Sequence, residues 1–174
     1  PLPAVPAGSV TGDELPAARR HAPAIGLVAS PLGPARWSSV STHDFYRAVL
    51  EGSPYPVRGL IGFGSNLLLA QGDPARGRAA PSALDFYDHA DLFMTPTAAL
   101  ADIVLPVASC FEREALKIGF EISADAQSRV QFRQAIVEPP GQARSDTEII
   151  FGLATRLGLG EHFWDGNVDA SYRE

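Results

Sequence analysis

What the chain lacks narrows its chemistry first. Its 174 residues include a single cysteine, Cys110. One cysteine cannot close an internal disulfide, nor can it alone supply the thiolates of a zinc site or an iron–sulfur cluster. No stretch approaches the ~18 continuous apolar residues of a membrane span. Lysine is nearly absent: Lys117 stands alone among 14 basic residues, set against 20 acidic ones for a net charge of −6. That balance argues against a generic nucleic-acid binder, which needs a basic stripe to displace counterions. The four histidines, His21, His43, His89 and His162, lack metal-type spacing and pair with no carboxylate in a recognised motif. They read as ordinary surface or core residues. Cys110 has no evident activating base and reads as a small buried apolar residue. No catalytic residue and no metal ligand is read from the chain.

No signal-peptide pattern follows Pro1, because no charged start leads into an apolar run. A cytoplasmic location is the expectation. The first residue is not Met, and both ends look cut, so a fragment is expected and a periplasmic address stays open.

With 45% apolar and 20% charged residues, the composition is that of a globular protein. A chain of this length can bury roughly 70% of its unfolded surface. Seven of the 15 prolines fall within residues 1–36. Each fixes φ and removes a donor, so residues 1–40 read as a Pro-rich arm: a tail or linker, or else an irregular loop over a neighbouring domain. Within it, Ile25–Val28 could form a short strand.

Regular structure begins with a helix capped by Ser41 or Thr42, with Phe45, Val49 and Leu50 on its apolar face and Gly52 at its end. Val57–Phe63 reads as a buried strand. Residues 72–88 read as helical, with Asp73 as cap and Pro74 at the first position; Pro81 makes two short helices as acceptable as one. Ala90–Met94 is the next strand. Thr95 caps a short helix from Pro96, and Asp102–Leu105 is a third strand stopped by Pro106. The alternation implies an α/β fold with a parallel, doubly wound, Rossmann-like sheet and helices on both faces. Residues 107–127 look irregular, and Arg129–Arg133 alternates like an exposed strand. Ser145 and Glu148 form a capping box for a helix with an apolar stripe of Ile149, Ile150, Leu153, Ala154 and Leu157. The α/β domain is placed at residues 41–160, with 161–174 as a tail leading toward a further domain.

Gly62-Phe63-Gly64-Ser65-Asn66-Leu67 follows a strand, as a dinucleotide fingerprint does, but Leu67 stands where the third glycine belongs. What survives is the simpler rule that glycines at the end of a parallel strand let a ligand come close. An acidic chain can still hold phosphate through backbone N–H groups.

A longer string is more specific. Thr95-Pro96-Thr97-Ala98 is followed by Ala101-Asp102-Ile103-Val104-Leu105-Pro106, by Glu112 and Glu114, by Arg129-Val130-Gln131, and by Pro139-Pro140-Gly141-Gln142-Ala143-Arg144 before the capped helix. Together with Tyr55-Pro56-Val57 and Gly64-Ser65-Asn66, this order resembles the molybdopterin oxidoreductase family of the dimethyl-sulfoxide-reductase type, over roughly residues 42–160. It departs at Pro96, where the family often has Glu, at Leu67, where it often has Pro, and at Asp125–Arg129, where an Asn-x-Glu-Gly-Arg stretch is common.

The resemblance implies the later of two dinucleotide-binding-like domains, helping to hold the guanine dinucleotide part of a bis-molybdopterin guanine dinucleotide cofactor with molybdenum or tungsten. Gly64, Ser65 and Asn66 would approach the cofactor at the first strand end and Thr95 and Thr97 at the next. Asp102 would touch a polar group of the nucleotide or cap the local turn. The implied partners are the remaining domains of the same polypeptide, with an iron–sulfur cluster in an earlier part, and an electron-transfer subunit. By this reading the isolated piece is inactive. The alternative is a cofactor-free subunit resembling the large iron–sulfur subunit of NADH dehydrogenase.

Overall fold

A computed structural model of the chain describes residues 24–30, 39–118, 123, 125 and 128–173. Most of the Pro-rich arm therefore lies outside the described residues. The part that is described, residues 24–30, is a turn and not the expected strand: Leu27 N–H bonds the Ala24 carbonyl and Ser30 N–H that of Gly26. Gly26 has φ +83° and lies so close to Asp44 that a Cβ would fall 2.5 Å from its carboxylate.

Helix α1 spans Thr42–Leu50. Ser41 caps it, its hydroxyl accepting the Asp44 N–H at 3.1 Å and donating to the Asp44 carboxylate at 2.6 Å. The helix is rotated from expectation. It buries Asp44, Tyr46 and Ala48, while Leu50 is exposed. The cause is Tyr46, which packs on Gly77 of helix α3 (Pro74–Ser82); a Cβ there would stand 3.0 Å from the phenol oxygen. Helix α3 is continuous, because Pro81 falls in its last turn. Asp73 caps it in a left-handed conformation, accepting the Arg76 N–H at 3.1 Å.

Three parallel strands, β1 (Gly59–Phe63), β2 (Phe86–Asp91) and β3 (Ile103–Pro106), form a sheet in the order β1-β2-β3. Ile61 pairs Asp88, which pairs Ile103; Gly62 pairs His89, which pairs Val104. One-turn helix α2 (Leu67–Ala70) and α3 join β1 to β2, and a 3-10 turn at Ala98–Leu100 joins β2 to β3. With right-handed crossovers both connections share one face. A doubly wound sheet needs a reversal of strand order, and the described strands show none.

Strand β2 starts four residues before the expected Ala90, inside the stretch read as helical. Its polar Asp88, His89 and Asp91 hid the strand, since alternation was sought in apolar residues. Buried Tyr46, Ala80, Tyr87, Ala90 and Ala98 make the core around α1, α3 and β2.

Beyond β3 the chain turns back. Ala108 N–H bonds the Arg144 carbonyl, and Arg144 N–H that of Pro106, so the segment before the last long helix runs beside β3. Strands β4 (Ala115–Ile118) and β5 (Val130–Arg133) form an antiparallel pair. Strand β4 lies where irregular chain was expected; β5 is exposed along its length, as its alternation indicated. Helix α4 (Asp146–Arg156) opens with the expected capping box: Ser145 accepts the Glu148 N–H, and the Glu148 carboxylate accepts the Ser145 N–H at 2.7 Å. Its buried residues are Phe151 and Ala154, whereas Ile150, Leu153 and Leu157 are exposed. Phe151 turns the helix, because it meets Phe163 edge-on and Trp164 in a stack with ring centroids 5.4 and 6.0 Å away. The last described helix is α5 (Val168–Ser171).

Candidate functional site

Parallel strands deliver all their carboxyl ends to one side of the sheet, where α/β proteins bind ligands. On that side β1 runs into Gly64, and β2 ends at Asp91. Gly64 N–H bonds the Ala90 carbonyl at 2.8 Å, which extends the ladder by one residue before the chain breaks away. Its φ of +56° favours glycine, and a Cβ there would meet nothing within 4 Å. The space before this turn is open. Among the described residues the N–H groups of Ser65 and Asn66 have no hydrogen-bond partner, so they are available as donors. Helix α2 that follows is only one turn long, so any anion would be held by the turn and not by a helix dipole.

Asn66 and Thr97 meet. The Thr97 hydroxyl donates to Asn66 Oδ1 at 2.7 Å and accepts the Leu68 N–H at 3.1 Å. Thr97 is fully buried, so it braces the first turn from below and does not line an opening. Thr95 accepts the Ala98 N–H at 3.1 Å, but the helix expected from Pro96 is a 3-10 turn that begins at Ala98 with Thr97 as its N-cap. Gly64, Ser65, Asn66, Thr95 and Thr97 thus gather at one end of the sheet. Asp102 does not join them. Its carboxylate accepts the Tyr87 N–H at 2.8 Å, and its own N–H bonds the Tyr87 carbonyl. Both contacts lie where β2 and β3 begin, at the far end of the sheet, so Asp102 ties the starts of the two strands together instead of capping its own turn.

Three residues of β2 escaped the sequence reading. Tyr87, His89 and Asp91 alternate along the strand and so share one face. Tyr87 Oη lies 2.8 Å from His89 Nδ1, and His89 Nε2 lies 3.2 Å from Asp91 Oδ2. His89 therefore does pair with a carboxylate, and it is fully buried. Period-two polar residues were the signal that could have exposed them. Burial, then the charges of Asp91 and Asp88, push the Tyr87 phenol up to about 12. Burial also raises the Asp88 carboxyl, whose Oδ1 has no partner among the described residues.

Tyr87 and His89 also floor a groove of about 330 Å³ between α1 and β1, walled by Phe45, Phe63 and Ser65. That volume lies at the small end of small-molecule sites. A larger hollow of about 500 Å³ sits by Trp164 and Arg173, remote in sequence from every strand end. Fold position favours the smaller groove. Among the described residues no group of three or more His, Cys, Asp or Glu could hold a metal. Cys110 is exposed, contrary to the expected buried residue.

A sequence model of the molybdopterin oxidoreductase family matches residues 30–156. The chain belongs to the molybdopterin oxidoreductase family. It is 35% identical over 137 residues to a putative catalytic chain of dimethyl sulfoxide reductase from Halobacterium salinarum, covering 76% of this chain and 16% of that protein. It is 32% identical over 126 residues to the alpha chain of the F420-dependent formate dehydrogenase of Methanocaldococcus jannaschii, covering 72% and 18%. The solved acetylene hydratase of Pelobacter acetylenicus superposes with a TM-score of 0.64 at 33% identity, over 71% of this chain and 16% of that one. This molybdopterin oxidoreductase segment thus spans less than one fifth of the length of these relatives.

Proposed function

We propose that the chain is a cofactor-cradling α/β domain of a larger molybdopterin-dependent enzyme, and that its strand ends hold the guanine nucleotide part of a bis-molybdopterin guanine dinucleotide. The observation that carries this reading is the open Gly64-Ser65-Asn66 turn, with two uncommitted N–H donors, beside the Asp91 carboxylate at the next strand end. Donor N–H groups suit phosphate oxygens. A carboxylate at the end of the second strand of a β-α-β unit suits ribose hydroxyls or ring N–H groups. The residues present therefore fit a nucleotide, and the cofactor-free alternative, which requires these strand ends to be packed shut, is less well supported.

When bound, the group supplies the redox-active molybdenum or tungsten. This chain's residues bind and orient the remote nucleotide end. Gly64 lets the ligand approach the backbone, Ser65 and Asn66 donate, Thr97 keeps the Asn66 turn in place, and Asp91 accepts. The substrate, the electron-transfer partner and the metal's protein ligand are assigned to the rest of the enzyme, and this segment alone is expected to be inactive.

The test is direct. The full-length parent protein, purified from cells that make the cofactor, is analysed for metal and for guanine nucleotide released by acid. One molybdenum or tungsten with guanine nucleotide supports the reading; a folded protein with neither overturns it. Gly64→Val places a side chain at positive φ in the approach path, and nucleotide content is expected to fall at least tenfold.

A further inference from the structure

The alternate residues of β2 form a directed chain of hydrogen bonds. The Asp91 carboxylate oxygen can accept a hydrogen bond from His89 Nε2. In that tautomer Nδ1 is an acceptor, and the Tyr87 hydroxyl donates to it. Tyr87 is about 1% exposed and its raised phenol keeps that proton through neutral pH. The second Asp91 oxygen accepts the Phe93 N–H at 3.2 Å. One carboxylate oxygen is thus held from the strand and the other from the following loop. Gly62, on the neighbouring strand, makes room for the ring, since a Cβ there would lie 2.7 Å from His89 Nδ1.

We propose that Tyr87 and His89 are a buried relay that fixes the Asp91 carboxylate, leaving its free lone pairs aimed at the N–H or O–H donors of a bound nucleotide. His89 is a positioning residue in this scheme and touches no ligand through its nitrogens. The proposal rests on the nucleotide reading of the strand ends and deepens it. Without the relay Asp91 keeps, among the described residues, only the Phe93 contact, and its carboxylate can rotate.

The experiment uses the cofactor-loaded protein. Three variants are compared with the parent: His89→Leu, which removes both nitrogens; His89→Gln, which returns an N–H near the Nε2 position; and Tyr87→Phe, which removes the donor to Nδ1. Guanine nucleotide retained after gel filtration is expected to fall about tenfold in His89→Leu and to recover to within about threefold in His89→Gln, the scale of one hydrogen bond to a charged group. Nitrogen NMR of the imidazole should report the Nε2–H tautomer in the parent and the same tautomer in Tyr87→Phe, with the Nδ1 resonance moved to that of an acceptor without a hydrogen bond. A folded His89→Leu that retains nucleotide as the parent does overturns the relay, as does an unchanged Nδ1 resonance in Tyr87→Phe. If His89→Leu does not fold, His89→Gln and Tyr87→Phe decide by the same two readouts. A parent that carries metal but no guanine nucleotide overturns the strand-end reading itself, and the relay's purpose with it.

Discussion

The parallel sheet and the antiparallel pair behind it solve the same problem in opposite ways. In β2, Tyr87, His89 and Ala90 are almost without solvent contact, although two of the three carry polar atoms. In β5, Val130 and Phe132 are apolar yet 61% and 51% exposed. Polar side chains are tolerated inside the sheet because their hydrogen bonds are made there, between strand neighbours two residues apart. Apolar side chains on β5 find little to cover them among the described residues beyond the edge-on approach of Phe132 to Tyr172. Residue type therefore predicts position poorly in both regions. What separates them is packing: β2 lies between two strands and meets the Ala98–Leu100 turn, which in turn meets α3, packed on α1, whereas the main contact of β5 among the described residues is with β4. Stability should be concentrated around the first region and nearly indifferent to substitution in the second.

The largest effect is expected at the seam between α1 and α3. Tyr46 is buried against Gly77, and among the described residues its hydroxyl has no partner. Tyr46→Ala removes the ring and leaves a cavity, at a cost of about 3–5 kcal/mol in urea unfolding. Tyr46→Phe should cost far less, because the lost hydroxyl made no hydrogen bond. A comparable loss from both would show that the hydroxyl, and not the ring, holds the seam.

Gly62→Ala comes next. The added Cβ would press on the fully buried His89 ring and lie 3.6 Å from Tyr87, so neither neighbour can swing into solvent. Overpacking of this kind costs about 1–3 kcal/mol. Its side effect is informative: the ring must shift, so Asp91 should lose its contact and nucleotide retention should fall together with stability. Retention that survives a measured destabilisation would uncouple the two.

The same face of the sheet sets a pH dependence. The Tyr87 phenol is raised to about 12 in the folded chain from about 10 when unfolded. Between these values the unfolded state binds fewer protons, so stability falls as pH rises through that window and is unaffected below it. Tyr87→Phe should flatten this alkaline limb. Denaturant melts between pH about 9 and 12, with phenolate absorbance followed in parallel, would check it.

Much of the fold could be read from residue chemistry, and the failures share a cause. Caps were legible: Ser41, Asp73 and Ser145 each accept the N–H their position indicated, because a cap is a local event. Helix rotation was not, since Tyr46 and Phe151 are turned inward by partners distant in sequence, Gly77 in one case and Trp164 in the other. Strand β2 was truncated because its buried face is half polar. In the site, glycine and the Asn66 turn announced themselves through backbone needs. Thr97 and Asp102 looked alike in the motif, yet one lies under the strand ends and the other at the opposite end of the sheet. Only the register of β2 against β3 separates them.

The smallest expected effect tests the other half of the comparison. Val130 pairs Ile118 in an antiparallel register and lies mostly in solvent. Val130→Thr keeps the β-branched shape and its strand preference and adds one hydroxyl. At an exposed position the change should stay within about 0.5 kcal/mol. The outcome discriminates because the same substitution at a covered position would bury an unpaired hydroxyl, at about 1–3 kcal/mol. A loss of that size, measured in the intact protein, would mean that the β4–β5 pair is covered in the assembled enzyme. The pair would then be a second packed layer, and the contrast with the parallel sheet would belong to this segment alone.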